Sequence, residues 1–160
     1  MSSACLSLGS NLAPETNLRS AIEALRAHFG ELLLSPVYRT AAIGFEGADF
    51  LNAAVVVETT LDPQALNAWL HALEDAHGRN RNGPRFGDRT LDIDIVLYDD
   101  LVTEGPGHLR IPRAELRHAF VLKPLVDIVP GRIEPVSGLT LAALWTQSPE
   151  RDVPMTVQAL

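Results

Sequence analysis

Residues 78–94 read GRNRNGPRFGDRTLDID, an arginine-rich run that leads directly into a strand pattern. The asparagine, glycine and proline residues around the arginines predict a long, mobile loop over residues 80–88. Guanidinium groups bind phosphate oxygens in pairs, so this loop suits a polyanionic ligand and is expected to close over it. A solvated run of charges is the alternative. The arginines are Arg79, Arg81, Arg85 and Arg89.

Apolar and polar residues alternate from Leu91 onward, in LDIDIVLYDD. Because successive side chains of a strand point to opposite faces, Asp92 and Asp94 share one face. Ile93 and Ile95 share the other. Two adjacent carboxylates repel each other, and Mg²⁺, which prefers oxygen ligands shared with substrate phosphates, removes that cost. The strand therefore predicts a metal site at the two aspartates, and the solvent face of a half-exposed strand is the alternative.

The composition restricts the class of protein. With 160 residues, 46% of them hydrophobic and 21% charged, one domain over residues 1–160 is expected. A formal net charge of −7 disfavours nucleic acid or an anionic membrane as a partner, so we expect small-molecule partners. A monomer is also expected, although the sequence does not fix the oligomeric state. The single cysteine, Cys5, fits a core position in a reducing cytoplasm. No apolar stretch approaches the length that spans a bilayer.

Strand and helix patterns alternate through the first half of the chain. Strands are expected at residues 4–8, 31–38 and 50–59, the second with a proline that favours a sheet edge or a bulge. Amphipathic helices are expected at residues 14–30 and from residue 62 onward. This order is that of a split β-α-β unit. The sequence therefore predicts an α+β, ferredoxin-like α/β sandwich with a mainly antiparallel sheet and helices on one face.

The second half of the chain is less regular. Residues 99–119 contain turn signals and a second basic cluster, which either extends the phosphate site or is solvated surface. After residue 124 the chain is expected to be irregular apart from a short helix at residues 139–145. The basic cluster consists of His108, Arg110, Arg113, Arg117 and His118.

Several of these segments together resemble the 6-hydroxymethyl-7,8-dihydropterin pyrophosphokinase family of folate biosynthesis. The most specific segment is Arg89-Thr90-Leu91-Asp92-Ile93-Asp94, and its spacing to Glu74 and to Gly78-Arg79 also matches. The resemblance covers about residues 4–130. The other matching motifs are Gly9-Ser10-Asn11, Tyr38-Arg39-Thr40 and Phe50-Leu51-Asn52-Ala53.

The resemblance implies transfer of the pyrophosphoryl group of ATP to the hydroxymethyl oxygen of the pterin, with release of AMP. It implies two Mg²⁺ ions bound at Asp92 and Asp94, and catalytic roles for these two residues and for Arg79 and Arg89. The implied ATP-binding residues are Glu74, Arg81, Arg85, Arg89, Ile95, Arg110, Arg113 and His118. The implied pterin-binding residues are Thr40, Ala41, Ile43, Phe50, Asn52 and Phe120. Asn52 can both donate to and accept from the edge of a pterin, although capping of the strand end is the alternative.

Three positions depart from the family's usual pattern. Phe86 stands where the family usually has tryptophan, Arg113 where it has histidine after a proline, and His118 where it has arginine. A second hypothesis is therefore a diverged paralogue that binds pterin or nucleotide with altered or no turnover. A third is an RNA-binding ferredoxin-like module, which the aromatic content of only 6% and the acidic charge oppose.

Overall fold

The structure, a computed structural model, describes residues 1–79 and 87–160. In the described ranges the helices and strands alternate as the sequence predicts as far as β5, and further short elements follow. In chain order they are β1 (Ser2–Ser10), α1 (Pro14–Phe29), β2 (Leu33–Leu34), β3 (Tyr38–Thr40), β4 (Phe50–Thr59), α2 (Pro63–Ala76), β5 (Asp92–Tyr98), β6 (Thr103–Gly105), β7 (Leu109–Ile111), α3 (Ala119–Ile128), α4 (Leu141–Gln147) and β8 (Thr156–Val157).

A six-stranded sheet runs through the centre of the molecule, in the order β5-β1-β4-β3-β8 with β2 also paired to β4. The pairings within it are antiparallel. The long strands β1 and β4 carry apolar residues on both faces, so each face is the floor of a hydrophobic core. This sheet confirms the predicted α+β fold class with a mainly antiparallel sheet.

Helices α1 and α2 pack on one face of the sheet, as predicted. Leu18, Ile22 and Leu25 of α1 are buried there, at the helical spacing read from the sequence. The helix ends at Gly30, whose φ of 82° is a backbone conformation that residues with a Cβ rarely adopt. α2 begins after Asp62, whose carboxylate accepts a hydrogen bond from a backbone N–H in the first turn.

The opposite face of the sheet is covered in part by α3 and α4, so the prediction that the helices lie on one face is wrong for these two. Their apolar residues form a second core with Cys5, Ala54 and Val96. α3 was not predicted, since irregular chain was expected after residue 124. The helix forms with Pro124 inside it and with three leucine and valine side chains buried. Burial raises the pKa of the Cys5 thiol to about 11, which confirms a core cysteine.

The predicted strand at residues 31–38 is two short strands rather than one. The chain leaves the sheet between β2 and β3, where Pro36 lacks a backbone donor. Ser35 maintains the connection, because its backbone N–H donates to the Ala54 carbonyl at 2.9 Å and its hydroxyl accepts from the Ala54 N–H at 2.8 Å. The break thus falls at the predicted bulge position.

Residues 99–119 contain the β6–β7 hairpin and a 3₁₀ turn at Ala114–Arg117, elements too short to show a sequence period. The tail helix α4 begins and ends two residues later than predicted. Near the end of the tail, β8 pairs with β3. Among the residues described, no helix has the length and apolar character needed to cross a bilayer.

Candidate active site

A cleft of about 1000 Å³ lies beside α3, on the sheet face that carries the second core. Its floor is formed by side chains of β1, β4 and β5, and its walls by α2, the segment after β3 and the segment from β7 to α3. It brings together most of the residues implied by the family resemblance: Thr40, Ala41, Ile43, Phe50, Asn52, Glu74, Arg79, Arg89, Asp92, Asp94, Arg110, Arg113, His118 and Phe120.

Asp92 and Asp94 lie on the cleft side of β5, and Ile93 and Ile95 lie in the core on the other side. The predicted alternation of this strand is therefore confirmed. The two carboxyl side chains keep 39% and 26% of their surface exposed, so both are accessible from the cleft. The side chain of Ile95 is buried away from the cleft, so only its backbone could approach a ligand there.

Arg79 links α2 to the first aspartate. Its Nη1 atom lies 3.1 Å from Asp92 Oδ1 and 3.7 Å from Glu74 Oε2. Glu74 is buried, and its Oε2 atom also accepts a hydrogen bond of 2.9 Å from the backbone N–H of Ile93. The Glu74 carboxylate of α2 thus contacts both the backbone of β5 and the guanidinium of Arg79.

Arg113 makes the corresponding connection to the second aspartate. Its Nη2 atom lies 3.4 Å from Asp94 Oδ1, and its Nε atom lies 3.3 Å from Glu115 Oε2. Each aspartate is therefore paired with an arginine that is itself paired with a glutamate. The two chains of charge, Glu74–Arg79–Asp92 and Glu115–Arg113–Asp94, meet at β5.

The pKa of Asp94 is raised well above its usual range. Desolvation is the first cause, and the negative charges of Asp92, Glu74 and Glu115 act in the same direction. Arg113 opposes the shift without cancelling it. The quarter of the side chain that stays exposed limits the contribution from desolvation, but the neighbouring carboxylates alone favour a raised pKa. The site therefore carries an excess of negative charge that a cation would relieve.

The donor set at β5 fits Mg²⁺. Asp92 and Asp94 present carboxylate oxygens on the same side of one strand, and Mg²⁺ is bound in many proteins through one or two carboxylates plus substrate phosphates. Within the described ranges, no group of three or more histidine, cysteine, aspartate or glutamate side chains is arranged to hold a metal by itself.

The positive wall of the cleft contains the predicted phosphate-side residues. Arg89 and the whole basic cluster predicted at residues 108–118 line it, so that cluster lies at the site and is not separate surface. Arg81, Arg85 and Phe86, together with most of the predicted mobile loop, lie outside the described residues.

The predicted pterin-side residues lie at the other end of the cleft. Asn52 is buried, and its side-chain amide donates to Thr40 Oγ1 at 2.7 Å. A Cβ added at Gly9 would lie 3.1 Å from Asn52 Oδ1, so the glycine leaves room for the amide. This side-chain bond goes to another cleft residue rather than to a backbone group.

Two aromatic contacts shape this end. Phe50 meets Phe45 edge to face, with ring centroids 6.3 Å apart. The His118 ring stacks on Phe120 with centroids 5.3 Å apart and an interplanar angle of 12°. One face of Phe120 is therefore covered by His118.

Several cleft residues were not identified from the sequence. Asn67 and His71 of α2 line the cleft with Glu74, and their spacing of four and three residues places all three on one helix face. That polar stripe was a signal that could have been used. Phe45 also lines the cleft but lies in an irregular segment, where no period marks it.

Asn11 joins three loops at the rim. Its Nδ2 atom donates to the Ala48 carbonyl at 3.1 Å and to Asp88 Oδ1 at 2.8 Å. Its Oδ1 atom accepts from the Arg89 N–H at 2.7 Å. The end of the arginine loop is thus fixed to the end of β1, which explains why Gly9-Ser10-Asn11 accompanies the Arg89–Asp94 segment.

Relatives of this chain are named as pyrophosphokinases. A 2-amino-4-hydroxy-6-hydroxymethyldihydropteridine pyrophosphokinase of Synechocystis is 36% identical over 148 residues, 90% of this chain and 75% of the relative. The Porphyromonas gingivalis enzyme of the same name is 39% identical over 131 residues, 78% of this chain and 89% of the relative. The Bacillus subtilis enzyme is 37% identical over 132 residues, 78% of this chain and 77% of the relative.

The fold also matches solved structures. The crystal structure of Plasmodium falciparum HPPK-DHPS with pteroate superposes with a TM-score of 0.76 at 14% sequence identity, over 94% of this chain. This chain spans 45% of the length of that protein. At this identity the match supports the fold alone.

The sequence model of the 7,8-dihydro-6-hydroxymethylpterin-pyrophosphokinase family matches residues 5–130. The matched range includes both aspartates, both arginine–glutamate pairs and the predicted pterin-side residues. The chain therefore belongs to the 7,8-dihydro-6-hydroxymethylpterin-pyrophosphokinase family, ATP-dependent transferases of a pyrophosphoryl group in folate biosynthesis.

Proposed function

We propose that the cleft performs this transfer with Asp92 and Asp94 holding two Mg²⁺ ions against the phosphates of ATP. The observation that carries the proposal is the meeting of two carboxylates and two arginines on β5, between the positive wall and the pterin-side residues. Bound Mg²⁺ would neutralise phosphate charge at that point. In the transfer, the pterin oxygen bonds to the β-phosphorus and the bridge to the α-phosphate breaks, so that AMP leaves.

The nucleotide side of the proposal rests on charge and position. Arg79, Arg89 and Arg113 lie around the aspartates, where guanidinium groups can bind phosphate oxygens and hold them for transfer. Arg110 and His118 lie further along the same wall. Arg81 and Arg85 belong to the same proposal from the sequence alone.

The pterin side supplies an amide, a hydroxyl and two aromatic rings. Asn52 and Thr40 can recognise the polar edge of a pterin, while Phe50 and Phe120 can contact its flat faces. Ala41 and Ile43 complete the apolar wall. Burial of Asn52 favours selective binding, because an unpaired amide in that position would be costly.

The test is to incubate the protein with ATP, Mg²⁺ and 6-hydroxymethyl-7,8-dihydropterin and to identify the nucleotide product by phosphorus NMR. AMP and a pterin diphosphate are expected, and the Asp92→Asn/Asp94→Asn double variant is the control for chemistry by contaminants. ADP as the product would contradict pyrophosphoryl transfer.

The comparisons give no support to a diverged paralogue or to an RNA-binding module. If the wild type formed no AMP, the departures from the family pattern at positions 113 and 118 would be the first explanation to test. A diverged paralogue should then gain AMP formation from Arg113→His with His118→Arg. A cytoplasmic location, a monomeric state and the absence of a nucleic-acid partner stay predictions.

A further inference from the structure

The chain beyond residue 130, past the range of the family match, returns to the cleft. After α4, residues 148–150 reach the start of α3, and β8 then pairs with β3 beside Tyr38 and Arg39. The tail therefore contacts the segments that carry His118 and Thr40, two residues that line the cleft.

Glu150 is the residue of this tail that touches the site. Its Oε2 atom lies 3.0 Å from His118 Nδ1, and its Oε1 atom accepts a hydrogen bond of 3.1 Å from the Ala119 N–H. One carboxylate thus contacts the His118 ring and also caps α3, for which His118 provides no side-chain cap.

The position of Glu150 is itself fixed by local bonds. Its backbone N–H donates to Ser148 Oγ at 3.1 Å, and its carbonyl accepts from the Val153 N–H at 3.0 Å. Ser148 is in turn bonded to the Trp145 carbonyl at the end of α4. The carboxylate is therefore held in place before any ligand binds.

We propose that Glu150 is a positioning residue that keeps the neutral His118 ring protonated on Nδ1, so that Nε2 accepts a hydrogen bond from a hydroxyl or amino group of the nucleotide. A carboxylate oxygen accepts a proton from Nδ1 and cannot donate one to it, so this contact selects the tautomer. The ring so fixed stacks on Phe120, and Glu150 therefore orients a pair of cleft residues. The role of His118 toward ATP rests on the proposed function, whereas the contact between Glu150 and His118 does not.

Glu150→Gln separates this role from simple helix capping. The glutamine oxygen can still accept from the Ala119 N–H, but its amide group then faces His118 Nδ1 as a donor. The cap is kept while the preferred tautomer is reversed. Glu134→Gln is the matched control, because Glu134 also accepts backbone hydrogen bonds in the tail, from Val136 and Ser137.

The first measurement is nitrogen-15 NMR of the imidazoles in the ligand-free protein, at an alkaline pH where the imidazole shifts no longer change with pH and the rings are therefore neutral. Loss of one signal set in His118→Gln identifies the residue. Wild type and Glu134→Gln should show protonated Nδ1 at His118, and Glu150→Gln should show protonated Nε2. An unchanged pattern in Glu150→Gln would overturn the proposal.

The second measurement is ATP binding by calorimetry in the same variants. Glu150→Gln should weaken it by up to about tenfold, the scale of one lost neutral hydrogen bond. The Glu150→Gln/His118→Gln double variant should bind no more weakly than His118→Gln alone, and additive losses would overturn the proposal. If the tautomer reversed while His118→Gln bound ATP normally, the positioning role would stand and the assignment of His118 to the nucleotide side would fall.

Discussion

Arg113 lies 3.4 Å from Asp94, a proposed metal ligand, and is held from its other side by Glu115 at 3.3 Å. The arginine therefore places positive charge beside a carboxylate that would also hold Mg²⁺. When ATP binds, we expect the same guanidinium to contact a phosphate oxygen. A histidine, shorter and charged only when protonated, could not serve both purposes equally well.

Arg113→Ala is expected to have opposite effects on the two ligands. Mg²⁺ alone should bind severalfold more tightly, because a partly exposed ion pair of up to about 1 kcal/mol no longer competes for Asp94. ATP should bind more weakly by about 1.5–3 kcal/mol, the range for a charge-assisted hydrogen bond. Calorimetry with each ligand checks both, with Arg19→Ala on the exposed side of α1 as control. A loss of ATP binding below about 0.5 kcal/mol would show that Arg113 does not reach the nucleotide.

Asp92→Asn and Asp94→Asn should each lower turnover by on the order of a thousandfold, because each removes a carboxylate that places metal charge at the transferring group. The rate of AMP formation at saturating substrates measures this. Asp100→Asn changes an exposed aspartate near the end of β5 and should leave the rate unaltered. Near-normal rates in both cleft variants would rule out the metal site at β5.

Asp94→Asn should also make the metal-free protein more stable at neutral pH. Because the folded pKa of Asp94 lies above its unfolded value, the stability associated with this group is complete below the unfolded pKa of about 3.9. This stability is lost as the pH rises from the unfolded pKa of Asp94 to its folded pKa. Urea unfolding with a chelator present should give the variant a higher free energy of unfolding than wild type at pH 7. This difference should shrink toward pH 4. A gap independent of pH would mean that Asp94 ionisation is not its cause.

Phe50→Ala should weaken pterin binding by about 1–3 kcal/mol, the scale of one aromatic stacking partner, and leave ATP binding nearly intact. Phe120→Ala should have the same effect on the pterin. Its effect on ATP should be somewhat larger, because it also removes the ring on which His118 stacks. Binding titrations with each ligand separate the two, with Phe29→Leu in the α1 core as a control for general loosening. Equal losses of both ligands in Phe50→Ala would indicate damage to the core instead.

Local patterns were sufficient for most of the fold and for the centre of the site. The alternation in β5 predicted that Asp92 and Asp94 share one face, and the amphipathic pattern from residue 62 onward predicted α2, the helix that carries Glu74. Both are properties of neighbours along the chain.

The contacts that the sequence did not predict join residues far apart in it. Glu150 and His118 are 32 positions apart, and Arg113 and Asp94 meet only because β7 leads the chain back beside β5. β6, β7 and β8 have two or three residues each, too few to show a period of two. In α3 the signal of Pro124 opposed the helix, and burial of its apolar face outweighed it.

Asn11 provides the last prediction, because it is buried and bonds to the Ala48 carbonyl, the Asp88 carboxylate and the Arg89 N–H. Asn11→Ala leaves these groups without their partner, and a buried group left unpaired costs about 1–3 kcal/mol. Unfolding in urea should show a loss of this size. Turnover should fall as well, because the end of the arginine loop that carries Arg89 is no longer fixed beside the aspartates.

Asn11→Asp refines this prediction. The aspartate can still accept from the Arg89 N–H, but it cannot donate to Ala48 and it places a negative oxygen against Asp88. Its stability should therefore recover as pH is lowered and the pair of carboxyl groups takes up a proton, whereas that of Asn11→Ala should not. Asn17→Ala is the matched control, since Asn17 makes a single exposed amide bond to the Leu12 carbonyl at 2.6 Å. If Asn11→Ala were as stable and active as Asn17→Ala, the three loops would be held together by other contacts.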